Sequence, residues 1–386
     1  MKTCGGGDSV SPLCPLEREH GAPARTDRVN PRTMSFLTPL LLSLALSQAV
    51  RPQPEVGFVW HYPFVDKGTV EIPKTGTDSM IARAAWSSLQ PEEGRYDWSN
   101  LDRQLAEARK GGYKLVLLLE ANQFCAPAWV VKKAGDADEN VRDASGNVAG
   151  GPHGAIPGPD SATFDRLQSA YLKALTDYVK KADPEGTITT YQPGIEWWFP
   201  YEWRHAPADV ARFQAWMKGR YGSIGEVNRV WNAAYPNFKA IEDPAFDAPK
   251  VYQKARTGLA PLRILGEKRS YRNPAAAWYD WSKYWESVAA RTIGGLSAKV
   301  KALDPSRPTM SWITNSYAFG SQWDYVQWSS VPMDAVARNA PGVDVLGLQL
   351  ASSYGDPYQI SFGLDVARKY GKPMSVLDLL DFLRSS

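Results

Sequence analysis

The chain is poor in the residues that hold metals. Among 386 residues three are cysteine (Cys4, Cys14, Cys125) and four are histidine (His20, His61, His153, His205). Three cysteines build neither a disulfide framework nor a four-cysteine zinc site. The histidines form no close pair, so the spacing of a histidine metal site is missing as well. No apolar run reaches the roughly 18 residues of a membrane-spanning helix. Charge of one sign is not in excess: 44 Lys+Arg against 41 Asp+Glu leave +3. That balance excludes a nucleic-acid binder that relies on bulk charge. No Gly-x-Ser-x-Gly elbow supports serine hydrolase chemistry. No Gly-rich phosphate loop follows the first predicted strand, which argues against an open doubly wound sheet. No cofactor is expected. What is abundant is aromatic: 15 Trp, 18 Tyr and 12 Phe, in a chain that is 44% hydrophobic and 22% charged. This is globular composition, with either a large aromatic core or aromatic binding platforms.

Residues 1–33 are rich in Gly, Pro and Arg and show no periodicity; they read as a disordered leader or an over-extended start. From Met34 to Val50 a short apolar stretch (Phe-Leu-Thr-Pro-Leu-Leu-Leu-Ser-Leu-Ala-Leu) ends in small residues, the pattern of a secretory signal. The expected location is therefore secreted or periplasmic, with residues 51–386 as the working domain and Cys125 as its lone thiol. No membrane attachment is expected once the signal is removed.

From about residue 55, short apolar segments alternate with amphipathic ones. Strands are predicted at 56–60, 80–86, 114–119, 188–192, 309–313, 343–350 and 374–377. Helices are predicted at 97–111, 161–182, 207–221, 224–232, 275–303 and 363–370, with Ser99 as N-cap of the first. Loops are predicted at 134–160 and 235–273. Lys114-Leu-Val-Leu-Leu-Leu119 is apolar nearly throughout, as in a strand buried on both faces of a parallel sheet. Strand–helix alternation of this kind predicts an α/β fold, a (β/α)8 barrel of TIM type whose text stops after the seventh strand.

In such a barrel, chemistry gathers on the loops after the strands. Those positions hold Trp60 and His61; Trp86; Glu120, Asn122 and Trp129; Glu196, Trp198 and Glu202; Trp312, Asn315 and Tyr317; Gln349; and Asp378 and Asp381. Arg83 lies inside the second strand, where it can hold a carboxylate ionised. Aromatic faces stack on the apolar face of a pyranose, and carboxylates and amides bind its hydroxyls. Glycoside hydrolysis needs two carboxyl groups flanking the scissile bond. The expected substrate-binding set is Trp60, His61, Arg83, Glu120, Asn122, Trp129, Trp198, Trp312, Asn315, Tyr317 and Gln349.

Ala85-Trp-Ser-Ser-Leu-Gln-Pro-Glu-Glu-Gly-Arg-Tyr-Asp-Trp98 with Leu101-Asp102, Ala126-Pro-Ala-Trp129, and Phe213-Gln-Ala-Trp-Met-Lys-Gly-Arg-Tyr-Gly-Ser-Ile-Gly-Glu-Val-Asn-Arg-Val-Trp231 resemble segments of the family 42 β-galactosidases. The resemblance spans roughly residues 55–380. It implies a retaining enzyme with an acid/base Glu after strand four, which maps onto Glu196, and a nucleophile after strand seven. The sequence departs from the pattern three times, one of them the absence of the family's zinc-type cysteine cluster. Ile195 stands where the clan has Asn before the acid/base, and the last glutamate is Glu286, so Asp378 is the carboxylate at the nucleophile's place. The family is often trimeric through a domain that would lie beyond this C-terminus, so a monomer is expected. Three functions compete: a retaining glycosidase on a β-galactoside or related β-glycoside, an endo-β-glycanase of the same clan, and a non-catalytic glycan-binding barrel without a competent nucleophile.

Overall fold

The computed structural model describes residues 79–142, 146–148, 150–151, 153–195, 197, 207–244, 270–314, 333–349 and 357–377, and the backbone of 59–60, 64–65 and 68–69. All belong to the unit 56–386. The predicted leader and signal segments lie outside the described residues.

In chain order the elements are β1 (Val59–Trp60), β2 (Phe64–Val65), β3 (Gly68–Thr69), β4 (Ser79–Ala85), α1 (Trp86–Leu89), α2 (Ser99–Gly111), β5 (Lys114–Glu120), α3 (Ala128–Asp136), α4 (Ala162–Ala182), β6 (Ile188–Pro193), α5 (Pro207–Tyr221), α6 (Ile224–Trp231), α7 (Pro274–Leu303), β7 (Ile313–Thr314), α8 (Met333–Asn339), β8 (Leu346–Gln349), α9 (Pro357–Lys369) and β9 (Met374–Leu377). β2 and β3 form a small antiparallel pair, while β1-β4-β5-β6 and β7-β8-β9 are parallel runs. Parallel bridges Tyr191↔Thr309 and Met310↔Val345 join the two runs. β1 comes back alongside β9, so the parallel strands curl into a ring.

Alternation sorts the strand residues. Met80, Ala82, Ala84, Leu115, Leu117, Leu119 and Tyr191 pack outward against Leu101, Leu105, Ala108, Leu167, Tyr171 and Leu172 of the helices. Ile81, Val116, Leu118, Met310 and Trp312 form a separate cluster with Ile195 and Val345, which fills the inside of the curl. This two-sided burial is why β5 reads as one apolar run. A further cluster lies away from the sheet. Phe213, Met217, Val227 and Trp231 of α5 and α6 meet Trp281, Tyr284 and Trp285 on the first half of α7. The second half of α7, with Ala289, Ile293, Leu296 and Val300, packs in the main core. Much of the aromatic content is therefore structural: Trp86, Trp231, Trp281, Trp285 and Trp312 are fully buried.

Several boundaries differ from the sequence expectation. Ser99 is the first helical residue of α2, not its cap; Trp98 holds the cap position. Asp97 Oδ1 accepts from the Ser99 N–H at 3.0 Å, and Trp98 is stacked on Tyr178 with ring centroids 4.5 Å apart. α3 runs up to Asp136, where a loop is expected from 134, and α8 is not anticipated at all. α9 begins at Pro357, six residues before the predicted start, because proline suits the first turn of a helix.

Candidate active site

The parallel register places Arg83 beside Leu118 and Ala85 beside Glu120. Arg83 and Glu120 thus share the inward face, one step apart, and the long arginine side chain spans that step. Its Nε lies 2.5 Å from Glu120 Oε1, and Nη2 bonds the same oxygen. Glu120 is buried, while the Arg83 side chain is 45% exposed. Gln104 of α2 clamps the arginine backbone from both sides: Arg83 N–H donates to its Oε1 at 2.8 Å, and its Nε2 donates to the Arg83 carbonyl at 2.9 Å. Tyr171 lies close by and donates to the Ala84 carbonyl at 3.2 Å. Burial, then the Glu120 charge, holds its phenol well above the usual tyrosine range, so it stays a neutral donor.

Two amides complete the polar floor. Asn122 follows β5 and is 2% exposed; its Nδ2 donates to the Ile195 carbonyl at 2.8 Å. Its Oδ1 is buried without a partner among the described residues. Gln192 sits on β6 opposite Leu118 and is fully buried, and neither of its amide atoms has a described partner. Leaving a buried amide unpaired costs about 1–3 kcal/mol, so such groups mark places where water or ligand completes the set.

Beyond β6 the chain turns at Gly194, which has φ +83° and donates to the Leu119 carbonyl at 2.8 Å. A Cβ there would lie 2.3 Å from the Trp197 ring, so only glycine fits. Trp197 is buried in the main core. It also borders a half-open cavity of about 190 Å3 lined by Phe164, Gln168, Arg291 and Lys299, on the helix side of the sheet rather than inside the curl.

Of the sequence candidates, Arg83, Glu120 and Asn122 are thus brought together. Trp129 is half-buried, edge-on to Trp86 at 6.3 Å, and its Nε1 donates to the Gln90 carbonyl at 3.2 Å. Trp312 is fully buried in the inner cluster. Trp60 and Gln349 are described as strand backbone alone, Trp60 in register with Met80 and Gln349 with Thr314 and Leu377. Glu196, Asp378, His61, Trp198, Asn315 and Tyr317, with Glu202 and Asp381, lie outside the described residues.

Sequence reading missed Gln104, Gln192 and Asp280. Gln104 falls on the apolar stripe of α2 with Leu101, Leu105 and Ala108, and that position is the signal that could have flagged it; Gln192, in Ile-Thr-Thr-Tyr-Gln-Pro, carries no such signal. Asp280 is fully buried in the aromatic cluster and accepts from Tyr221 Oη and Trp231 Nε1, each at 2.7 Å, while pairing with Arg220 Nε at 2.9 Å. Among the described residues no group of His, Cys, Asp and Glu could hold a metal ion, and no helix is long and apolar enough to cross a membrane. Cys125 is half-buried.

A family model described as β-galactosidase, glycoside hydrolase family 42, matches residues 66–379. The β-galactosidase of an Arthrobacter species is 23% identical over 260 residues, 66% of this chain and 33% of its own length. The crystal structure of the Bacillus circulans sp. alkalophilus β-galactosidase aligns with TM-score 0.56 at 16% identity, covering 83% of this chain and 43% of that one. The β-amylase catalytic domain of Paenibacillus polymyxa aligns with TM-score 0.56 at 14% identity over 78% of each chain. At such identities the structural likeness shows the fold, that of the mixed α/β barrels. The chain spans a quarter to two fifths of the curated β-galactosidases it matches, 33% of the Arthrobacter protein and 38% of LacZ from Lactobacillus acidophilus. With its family model matched over most of its length, the chain belongs to glycoside hydrolase family 42, the β-galactosidase family.

Proposed function

We propose that this chain is the (β/α)8 barrel of a retaining glycoside hydrolase that cleaves a β-linked galactoside or related β-glycoside. The observation that carries the reading is topological. Parallel strands deliver all their C-terminal ends to one end of the ring, and β6 and β9 stand on opposite sides of it, with β7 and β8 between them one way and β1, β4 and β5 the other. Glu196 follows β6 by three residues and Asp378 follows β9 directly. Two carboxyl groups so attached can flank one glycosidic bond above the polar floor of Arg83, Glu120, Asn122 and Gln192.

In this reading Glu196 protonates the leaving oxygen while Asp378 attacks the anomeric carbon from the other face. The covalent glycosyl-enzyme is then hydrolysed by water that Glu196, now a carboxylate, deprotonates. Aspartate is one methylene shorter than glutamate, so the end of β9 must bring it closer to the sugar. Trp60, His61, Trp129, Trp198, Asn315, Tyr317 and Gln349 are proposed to line the sugar site with Arg83, Glu120 and Asn122, while Trp312, expected from the sequence to join them, is fully buried in the inner cluster and supports the site from within. No cofactor takes part. We also propose export through the segment 34–50, and action as a monomer.

A second reading comes from the β-amylase likeness, which covers the same share of both chains: an inverting glycosidase on the same barrel, its two carboxyl groups set wider to admit water. Hydrolysis of a panel of 4-nitrophenyl glycosides, of starch and of β-glycans separates the substrates, and proton NMR of the first-released anomer separates retention from inversion. Glu196→Gln and Asp378→Asn should each lower kcat by about 1000-fold or more. A parent chain that cleaves none of these substrates overturns the enzyme reading and leaves the glycan-binding barrel. N-terminal sequencing of protein recovered from a secreting host tests export; a mature start near residue 51 is expected, and retention of residues 34–50 overturns it.

A further inference from the structure

We infer that Asn122 Oδ1 is the acceptor for the hydroxyl on C2 of the bound sugar. The inference rests on the reading of Glu196 as the acid/base and adds the group that recognises the substrate beside it. Hydrogen bonds to the 2-hydroxyl strengthen as the oxocarbenium-like transition state forms, and glycosidases draw several kcal/mol from them. The residue immediately before Glu196 cannot give such a bond here. It is Ile195, whose side chain packs with Val116, Leu118, Met310 and Trp312 inside the curl.

Asn122 occupies the neighbouring place. Its Nδ2 holds the Ile195 carbonyl, the oxygen of the peptide that leads into Glu196, at 2.8 Å. That bond fixes the plane of the carboxamide and leaves Oδ1 aimed elsewhere, buried and without a described partner in a residue 2% exposed. The backbone beside it is also held: Gln168 Nε2 donates to the Ala121 carbonyl at 2.7 Å, and Lys299 Nζ in turn holds Gln168 Oε1 at 3.0 Å. An acceptor fixed to the peptide that leads into the proposed acid/base is suited to the atoms next to the anomeric carbon. On a pyranose the hydroxyl there is the one on C2. Water alone could fill the oxygen's valence, but a preorganised acceptor that costs free energy when idle gains most where charge develops.

The test uses the full chain with 4-nitrophenyl β-D-galactopyranoside and its 2-deoxy analogue. In Asn122→Ala, kcat/KM for the hydroxylated substrate should fall by about 30-fold or more while that for the 2-deoxy substrate changes less than about threefold. Asn122→Asp keeps an acceptor oxygen at the same place and should preserve most of the parent's preference, even where loss of the Ile195 contact lowers both rates. Equal losses on both substrates in Asn122→Ala, or loss of the preference in a folded Asn122→Asp, overturn the assignment. If Asn122→Ala does not fold, the Asn122→Asp result decides. If the parent hydrolyses neither substrate, the catalytic reading fails by itself. The Asn122 assignment is then decided by saturation-transfer NMR with galactose and 2-deoxygalactose, where equal binding of the two by the parent overturns it.

Discussion

Arg83 and Glu120, on adjacent parallel strands, are locked together on the inner face of the sheet, Nε to Oε1 at 2.5 Å with Nη2 on the same oxygen. The carboxylate is buried while the arginine side chain keeps 45% of its exposure, so the pair stands at the border between packed interior and open ring end. Removal of Arg83 is therefore costly, because it takes a guanidinium away from a buried carboxylate.

Arg83→Met should lower stability by about 1–3 kcal/mol in urea unfolding, below the full penalty of a buried pair because the arginine is partly solvated. Glu120→Gln should cost less, since the amide still accepts from the guanidinium. Loss of stability in Glu120→Gln larger than in Arg83→Met would contradict this account of the pair.

Gly194 sets the path of the chain from β6 towards Glu196. Gly194→Ala forces an L-residue into φ +83° and drives its Cβ into the Trp197 ring. The expected cost is about 1–3 kcal/mol in stability. If Glu196 is the acid/base as proposed, an accompanying drop of about 100-fold in kcat is expected from displacement of the segment that leads to it. A variant with unchanged melting temperature and activity would show that the turn places nothing.

At the opposite end of the ring, Asp183 and Asp304 form a structural network with Arg307. Asp183 accepts from the Thr187 and Ile188 N–H groups at 2.9 and 2.8 Å, and Asp304 accepts from Tyr191 Oη at 2.9 Å and Arg307 Nη1 at 2.6 Å. Burial pushes both carboxyls up, but these hydrogen bonds outweigh it and both sit below the ordinary carboxylate value. A carboxylate depressed in the folded state stabilises fully above its unfolded pKa of about 4, and loses that contribution as pH falls towards and through the lowered value. Unfolding free energy should be flat in this respect from neutral pH to about pH 5 and decline below about pH 4. In Asp183→Asn and Asp304→Asn the parent should be more stable at pH 7, and the difference should shrink on acidification.

Asp280→Ala strips a fully buried acceptor from Tyr221, Trp231 and Arg220 together. A loss of about 3–5 kcal/mol is expected, read as a lower midpoint in urea. Burial and the Asp280 carboxylate hold the Tyr221 phenol up to about 12 in the folded parent. Spectrophotometric titration of that phenol should therefore move down in a folded Asp280→Asn variant.

Legibility in the sequence followed the kind of residue. Apolar patterning located β5 and β9 to within a residue, β5 because a strand buried on both faces has no polar positions to confuse the pattern. α7 was equally plain, running Pro274–Leu303 against an expected 275–303. α8 and α9 were missed or shortened because their apolar positions are few and their packing partners distant in sequence. Trp231, Trp281 and Trp285 show the harder case. Their composition suits a sugar platform and a core alike, and only the meeting of α5, α6 and α7 commits them to the interior.

Local pattern and chain order were enough to read the strand–helix alternation, the family, and which carboxylates stand after strand ends. It took the folded chain to reveal that Arg83 binds Glu120, that Asn122 reaches the Ile195 carbonyl, and that Gln192 is buried with its amide unmet among the described residues. Each of these joins segments 37 to 73 residues apart, or depends on which face of a curled sheet a side chain occupies, and parallel register rather than sequence spacing sets both.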